Sequence, residues 1–183
     1  MAYLIHKNGT VRRLADMRYG HNSCGLVVWR GNVCVFGSYY DGGGRKCELL
    51  STQASNWSQL GDMHLSRSLF TPVVWQVKIY LCGGRENRTI ETFDGIELRV
   101  LAVELLRAGD TLAVVRGDCV LIWTHSTASV LSQDSVQPLL VIKPRSSSSV
   151  DTATNPLLYS GLIFALVSGS VCKYSAEDCR SVK

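Results

Sequence analysis

The residues able to do chemistry in this chain are few and spaced against cooperation. Four histidines, His6, His21, His64 and His125, stand far apart, with no H-x-x-x-H pair and no His/Cys pairing at metal spacing. The carboxylates Asp16, Glu48, Asp62, Glu91 and Asp94 form no evident acid–base pair. Glu48 and Glu91 stand at matching places in two β-type segments, so a repeated structural hydrogen bond is the expectation for both. Tyr39-Tyr40-Asp41-Gly42-Gly43-Gly44-Arg45 holds a glycine run, but it follows a strand-like segment and opens no helix. It therefore cannot set a phosphate on a helix N-terminus. G-x-S-x-G, the P-loop and G-x-G-x-x-G are absent. The sequence thus predicts no catalytic residue, no metal, no cofactor and no enzyme.

The elements that carry these residues are β-type. Of 183 residues, 46% are apolar and 19% charged, enough for one domain with a core and too apolar for a disordered chain. The 16 glycines and the many Val, Leu, Thr and Ser favour strands and turns. Nothing resembles an amphipathic helix of useful length; Val100–Arg107 is the best short candidate. A net charge of +4 with scattered basic residues argues against nucleic-acid binding, which wants them on one face. Seven cysteines (Cys24, Cys34, Cys47, Cys82, Cys119, Cys172 and Cys179) include no C-x-x-C, and several lie inside apolar runs. They read as buried thiols of a reducing compartment. The first residues lack the apolar run of a signal peptide, and Leu157–Val167 is far short of the roughly 20 residues of a membrane span. A soluble cytoplasmic protein is expected, with Asn8, Asn56 and Asn87 as chance glycosylation matches.

The segments repeat. Met17, Trp29, Val33 and Gly37 each stand 46 positions before Met63, Trp75, Ile79 and Gly83, and Val11–Met17 parallels Trp57–Met63 at the same interval. Tyr3–Ile5 and Val11–Leu14, joined by Asn8-Gly9, read as a hairpin. The first full unit has strands near Leu26–Trp29, Val33–Phe36, Cys47–Ser51 and Asn56–Leu60. The second has Pro72–Trp75, Ile79–Cys82, Ile90–Phe93 and Ile96–Leu101. The third, degenerate, has Thr111–Val115, Val120–Trp123, Val130–Ser132 and Leu139–Ile142. A fourth has Leu157–Tyr159, Phe164–Val167 and Val171–Tyr174. Four short strands per repeat of this length is the dimension of a β-propeller blade.

Met63, Arg67, Val73–Trp75, Ile79-Tyr80-Leu81-Cys82-Gly83-Gly84, Glu91-Thr92-Phe93-Asp94 and the upstream Asn56-Trp57 are similar to the kelch repeat. Its marks are a glycine pair after the second strand, an aromatic in the third and a Trp in the fourth. The resemblance covers nearly the whole chain at unit level and is specific in the first two full units. In the first the pair is Gly37-Ser38; the third and fourth lack the Trp, and the third the glycine pair. The resemblance implies an all-β, kelch-type β-propeller of about four blades over 1–183. Its units are 1–19 (partial), 20–61, 62–103, 104–142 and 157–183 (partial), with 143–156 a Ser-rich loop. Gly37, Trp57, Tyr80, Gly83, Gly84 and Glu91 would be its structural motif residues. Two completions stay open: Val11–Leu14 closing the last unit into a small ring, or an incomplete arc, including one that an oligomer completes.

Propeller function resides in loops, and the loops here combine Tyr and Arg, the residues of interface hot spots. Arg18, His21, Tyr39, Tyr40, Arg45, Arg67, Arg85 and Arg88 are the candidate partner-binding residues. The resemblance implies a protein-interaction module, with cytoskeletal or ubiquitin-ligase partners as family-level possibilities and no nucleic-acid or membrane partner. Kelch ubiquitin-ligase adaptors often carry an Arg where this chain has Leu69 and Ser23, a departure from their acidic-peptide recognition. The alternatives are a kelch-type oxidase or sugar isomerase, and a degenerate fragment without activity of its own.

Overall fold

The computed structural model describes residues 3–40, 43–53, 55–124, 127–132, 135–141, 154–159, 162–167 and 170–175, with side chains up to Val136, Leu4 excepted. All regular structure among them is β. A hairpin of β1 (Tyr3–Ile5) and β2 (Val11–Arg13) comes first. Its turn is tied by the Thr10 amide donating to Asn8 Oδ1, with Gly9 at a φ of 84°.

Three four-stranded antiparallel meanders follow, each in simple sequence order. Sheet 1 is β3 (Gly25–Trp29), β4 (Asn32–Phe36), β5 (Lys46–Leu50) and β6 (Trp57–Asp62). Sheet 2 is β7 (Val73–Trp75), β8 (Lys78–Cys82), β9 (Thr89–Phe93) and β10 (Leu98–Glu104). Sheet 3 is β11 (Thr111–Arg116), β12 (Cys119–Thr124), β13 (Thr127–Ser132) and β14 (Ser135–Val141). Sheet 4, among the described residues, has three strands: β15 (Thr154–Tyr159), β16 (Leu162–Val167) and β17 (Ser170–Ser175).

Local chemistry explains the hairpins. Arg30 and Gly31, between β3 and β4, take φ of 48° and 75°, the left-handed pair that matches strand twist. Gln76 and Val77 do the same between β7 and β8 at 47° and 63°, without a glycine. A β-branched residue there is strained. The prolines inside strands sit at irregularities. Pro138 pairs with Ser129 where the β13–β14 register slips, and Pro156 lies in the slip between Thr154 and Leu157 of β15. A residue with no amide hydrogen fits such places.

The sheets stack face to face. Trp29, Cys34, Phe36, Cys47 and Met63 of sheet 1 and its exit loop pack against Phe70, Ile79, Leu81 and Phe93. Val73, Trp75, Tyr80, Cys82, Ile90 and Leu105 pack in turn against Ala113, Val120, Ile122 and Leu131 of sheet 3. The Val, Leu, Ile, Phe and Met side chains among them each contribute on the order of 1.5–3 kcal/mol when fully buried. Sheet 2, covered on both faces, reads as near-continuous apolar runs for that reason. The first strands β3, β7 and β11 lie side by side along the stack.

One candidate, one boundary and one of the two completions come out otherwise. Val100–Arg107 is no helix: Val100–Glu104 belongs to β10, with Leu101 and Val103 turned toward the core and Val100, Ala102 and Glu104 outward. The Ser-rich loop ends earlier than 156, because β15 begins at Thr154, which pairs with Leu166; its residues 143–153 lie outside the described residues. Among the described residues closure by Val11–Leu14 is not formed either. Val11–Arg13 pair with Tyr3–Ile5 in a two-stranded sheet separate from β15–β17.

Candidate functional site

The loops leaving the second strands of sheets 1 and 2 converge on one rim. Gly37 ends β4 at a φ of 74° and Gly83 ends β8 at 63°. At Gly37 a side chain is impossible: its Cβ would lie 2.1 Å from the carbonyl oxygen of Arg67. That close approach lets the Ser38 amide donate to the same carbonyl at 3.0 Å, tying the loop of sheet 1 to the entry loop of sheet 2. The buried Ser38 hydroxyl accepts from the amides of Asn22 and Tyr40, and the Tyr39 amide donates to Asn22 O at 2.8 Å.

This scaffold raises two tyrosines into solvent. Tyr39 and Tyr40 are 41% and 64% exposed, their rings edge to face at 4.9 Å. Arg85, just past Gly84 in the matching loop of sheet 2, is fixed by its amide donating to Ser68 O. Its guanidinium lies 4.6 Å from the Tyr39 ring centre, a cation–π contact joining loops of two sheets. Among the described residues Arg85 has no carboxylate partner. Three of the eight candidates thus come together as one exposed aromatic–cation cluster. Asp41 and Gly42 of the same loop lie outside the described residues.

Two candidates, Arg67 and His21, have buried side chains and lie apart from this cluster. Arg67 is 1% exposed. It holds Glu91 through Nε and Nη2 at 3.2 and 3.0 Å, the carbonyls of Gly83 and Thr89 through Nη1, and Thr89 Oγ1 through Nη2. Burial lowers its pKa while the Glu91 carboxylate opposes that shift. Glu91 also accepts from the amides of His64 and Leu65 and from His64 Nδ1. Sheet 1 repeats the arrangement with different chemistry. Glu48 accepts from the amides of Arg18 and Tyr19 and faces His21 Nε2 at 2.9 Å, while His21 Nδ1 donates to Gly37 O at 2.7 Å. The His21 side chain is wholly buried.

The remaining candidates do not join the cluster. Arg45 is spent on Met63 O through Nε, and Arg88 pairs with Glu104 at 2.8 Å. The Arg18 guanidinium lies over its own neighbour Tyr19, which also receives Lys46 at 5.1 Å. Tyr19 and Lys46 were not among the sequence candidates, and neither was Ser38. Ser38 had a usable signal, since it replaces the second glycine of the pair. Of the motif positions, Tyr80 is buried against Trp75. Gly84 takes a φ of 120° and donates its amide to Thr111 Oγ1. Trp57 is half-buried and donates to Ala15 O.

The cluster can stack, accept an edge-on ring and offer one cation that has no carboxylate partner among the described residues. Among the described residues no three of His, Cys, Asp and Glu meet at a point where a metal could sit, and no helix is long and apolar enough to cross a membrane. His125 lies outside the described residues.

No family model matches the chain, and no curated protein matches it. Among solved structures the chain is similar to that of YjhT, with a TM-score of 0.68 at 14% sequence identity. The likeness covers 87% of this chain and 63% of YjhT, so the chain spans under two thirds of that protein's length. At this identity the likeness is one of fold.

Proposed function

We propose that this chain forms the blades of a kelch-type β-propeller arc and works as a non-catalytic binding module for a protein partner. Three consecutive four-stranded meanders stacked face to face, with first strands side by side, support the propeller reading, as do the 46-residue period and the likeness to YjhT. The observation that carries the binding reading is the Tyr39–Tyr40–Arg85 cluster. Two exposed tyrosines and an arginine without a carboxylate partner among the described residues are held by buried main-chain bonds rather than left to wander. Rigid aromatic anchors and Arg are what interface hot spots use. Cytoskeletal and ubiquitin-ligase components are the partner classes the kelch resemblance suggests.

The test is affinity capture from cell extract with wild type and with Tyr39→Ala/Tyr40→Ala/Arg85→Ala. The proposal expects a partner recovered by wild type and lost by the triple variant at unchanged melting temperature. Equal recovery by both would remove these loops from the function.

A further inference from the structure

His21 faces more acceptors than a neutral imidazole can serve. Its side chain is wholly buried, with Nδ1 2.7 Å from Gly37 O and Nε2 2.9 Å from Glu48 Oε2. A main-chain carbonyl only accepts, so Nδ1 carries a hydrogen. Glu48 takes the Arg18 amide on Oε1 and the Tyr19 amide on Oε2, at 2.9 and 3.1 Å, which suits a carboxylate rather than an acid. Nε2 therefore carries a hydrogen as well. Both contacts exist together only while the ring is an imidazolium, one proton beyond its neutral form.

Among the described residues Glu48 is the one ionisable group bonded to the ring. The charges nearby are engaged elsewhere: Lys46 with Asp62 and Tyr19, Arg18 over Tyr19, Arg45 on Met63 O and Arg67 on Glu91. Cys47, beside Glu48 on β5, is a buried thiol pushed up to about 12 and stays neutral. When the ring gives a proton to solvent, the hydrogen that remains can serve one contact only. Charge-assisted bonds are roughly twice as strong as neutral ones, so it stays on Nε2 with Glu48. The bare Nδ1 then meets Gly37 O lone pair to lone pair, and that carbonyl loses its donor.

We propose that the His21 proton regulates the rim cluster. With it, Gly37 O is held and Tyr39 meets Arg85; without it, the loop shifts and partner binding weakens. The proposal rests on the reading of Tyr39, Tyr40 and Arg85 as a binding cluster. Gly37 is where that loop leaves β4, two residues before Tyr39. Its amide donates to Lys46 O and the Ser38 amide to Arg67 O, neither of which titrates, so the Gly37 carbonyl is the tie that answers to pH. The tie is made at low pH and lost as pH rises. Sheet 2 lacks the device. Its matching carbonyl, Gly83 O, is held by Arg67 Nη1 at 2.6 Å, and a guanidinium keeps its charge.

The test is a nuclear magnetic resonance titration of the whole chain between about pH 5 and 9, below the range where tyrosine itself ionises. At the acid end both His21 ring nitrogens should carry a proton. As pH rises Nδ1 should lose its own, and the Tyr39 and Tyr40 ring signals and Arg85 Nε–H should move with the same midpoint. His21→Arg, which copies Arg67, should abolish that step, and His64→Gln should keep it. Glu48→Gln supplies a second check, because its amide can donate to Nε2 of a neutral ring and the step should vanish there too. Loop signals that ignore the His21 proton, or a ring that keeps one proton or two throughout, overturn the proposal. These spectra need no partner, so they decide the proton step even where capture recovers nothing, a result that would count against the binding reading alone. A captured partner should be recovered about fivefold less above the midpoint than below it. Equal recovery on both sides would overturn the regulation.

Discussion

Sheets 1 and 2 solve one structural problem with two chemistries. Each must hold the loop that enters its first strand against its third strand, and each does so through a buried glutamate that accepts two consecutive main-chain amides. In sheet 2 the cation that meets the carboxylate is Arg67, whose fork also satisfies two carbonyls and a hydroxyl. In sheet 1 the same place is filled by His21, which spans only Glu48 and Gly37 O. The number of groups one side chain satisfies therefore differs between otherwise matching anchors. A planar five-donor fork ties more of its surroundings together than an imidazole can.

That difference predicts an ordered set of losses. Arg67→Met should cost the most, about 3–5 kcal/mol, because it leaves Glu91 buried without its charge partner. Urea unfolding with an unchanged slope would measure it. His21→Ala should cost about 1–3 kcal/mol, since Glu48 keeps its two amides. If the two costs came out equal, the fork would confer nothing extra. The hairpin turns give the next contrast. Val77→Gly, which copies Gly31 of sheet 1, should raise stability by about 1–2 kcal/mol by relieving a left-handed β-branched residue. Thermal unfolding checks it, and a loss instead would mean that the Trp29 bond to Val77 O had been disturbed.

The thiols extend the comparison. Burial pushes Cys34 up to about 11 and Cys47 and Cys82 up to about 12, so the cores of both sheets keep unreactive thiols. Iodoacetamide at neutral pH should leave these three unmodified until the protein is unfolded. The smallest effect concerns the pairing of β5 with the edge strand β6. Lys46 lies 2.7 Å from Asp62 and holds its carboxyl below the ordinary value, and Asp62 raises Lys46 in return. The carboxylate's contribution is present above the unfolded Asp value and is lost as pH falls through the lower folded one. Asp62→Asn should remove that acid-side slope from the melting temperature, and high salt should shrink the effect in wild type.

The strands were legible because their signals are local. Apolar runs of four or five residues, bounded by Gly31-type turns, located every strand of sheets 1 and 2 to within a few residues. The strand expected at Ile96–Leu101 is found at Leu98–Glu104, shifted because its alternation runs on into a helix-compatible stretch of Leu, Ala, Val and Glu. The anchors were half legible. Glu48 and Glu91 show themselves by position, yet Arg67 and His21, in loops, read in sequence as candidate partner-binding residues. Their burial is decided by carboxylates 24 and 27 residues away. The Tyr39–Arg85 contact joins residues 46 apart, and only the stacking of two sheets brings them to 4.6 Å.

The lacing between neighbouring sheets has a mechanical consequence. Main-chain bonds run sideways from loop to loop: Ser38 to Arg67, Leu69 to Ser23, Arg85 to Ser68, Gly109 to Gly84 and Thr111 to Leu69. A pull on either end of the chain would load this seam across several bonds at once instead of peeling one strand at a time. Amide deuteration along the seam would then advance in one step for two sheets, since opening one sheet's rim strips the donors of the next. The loops bearing Tyr39 and Arg85 would thus yield together or not at all.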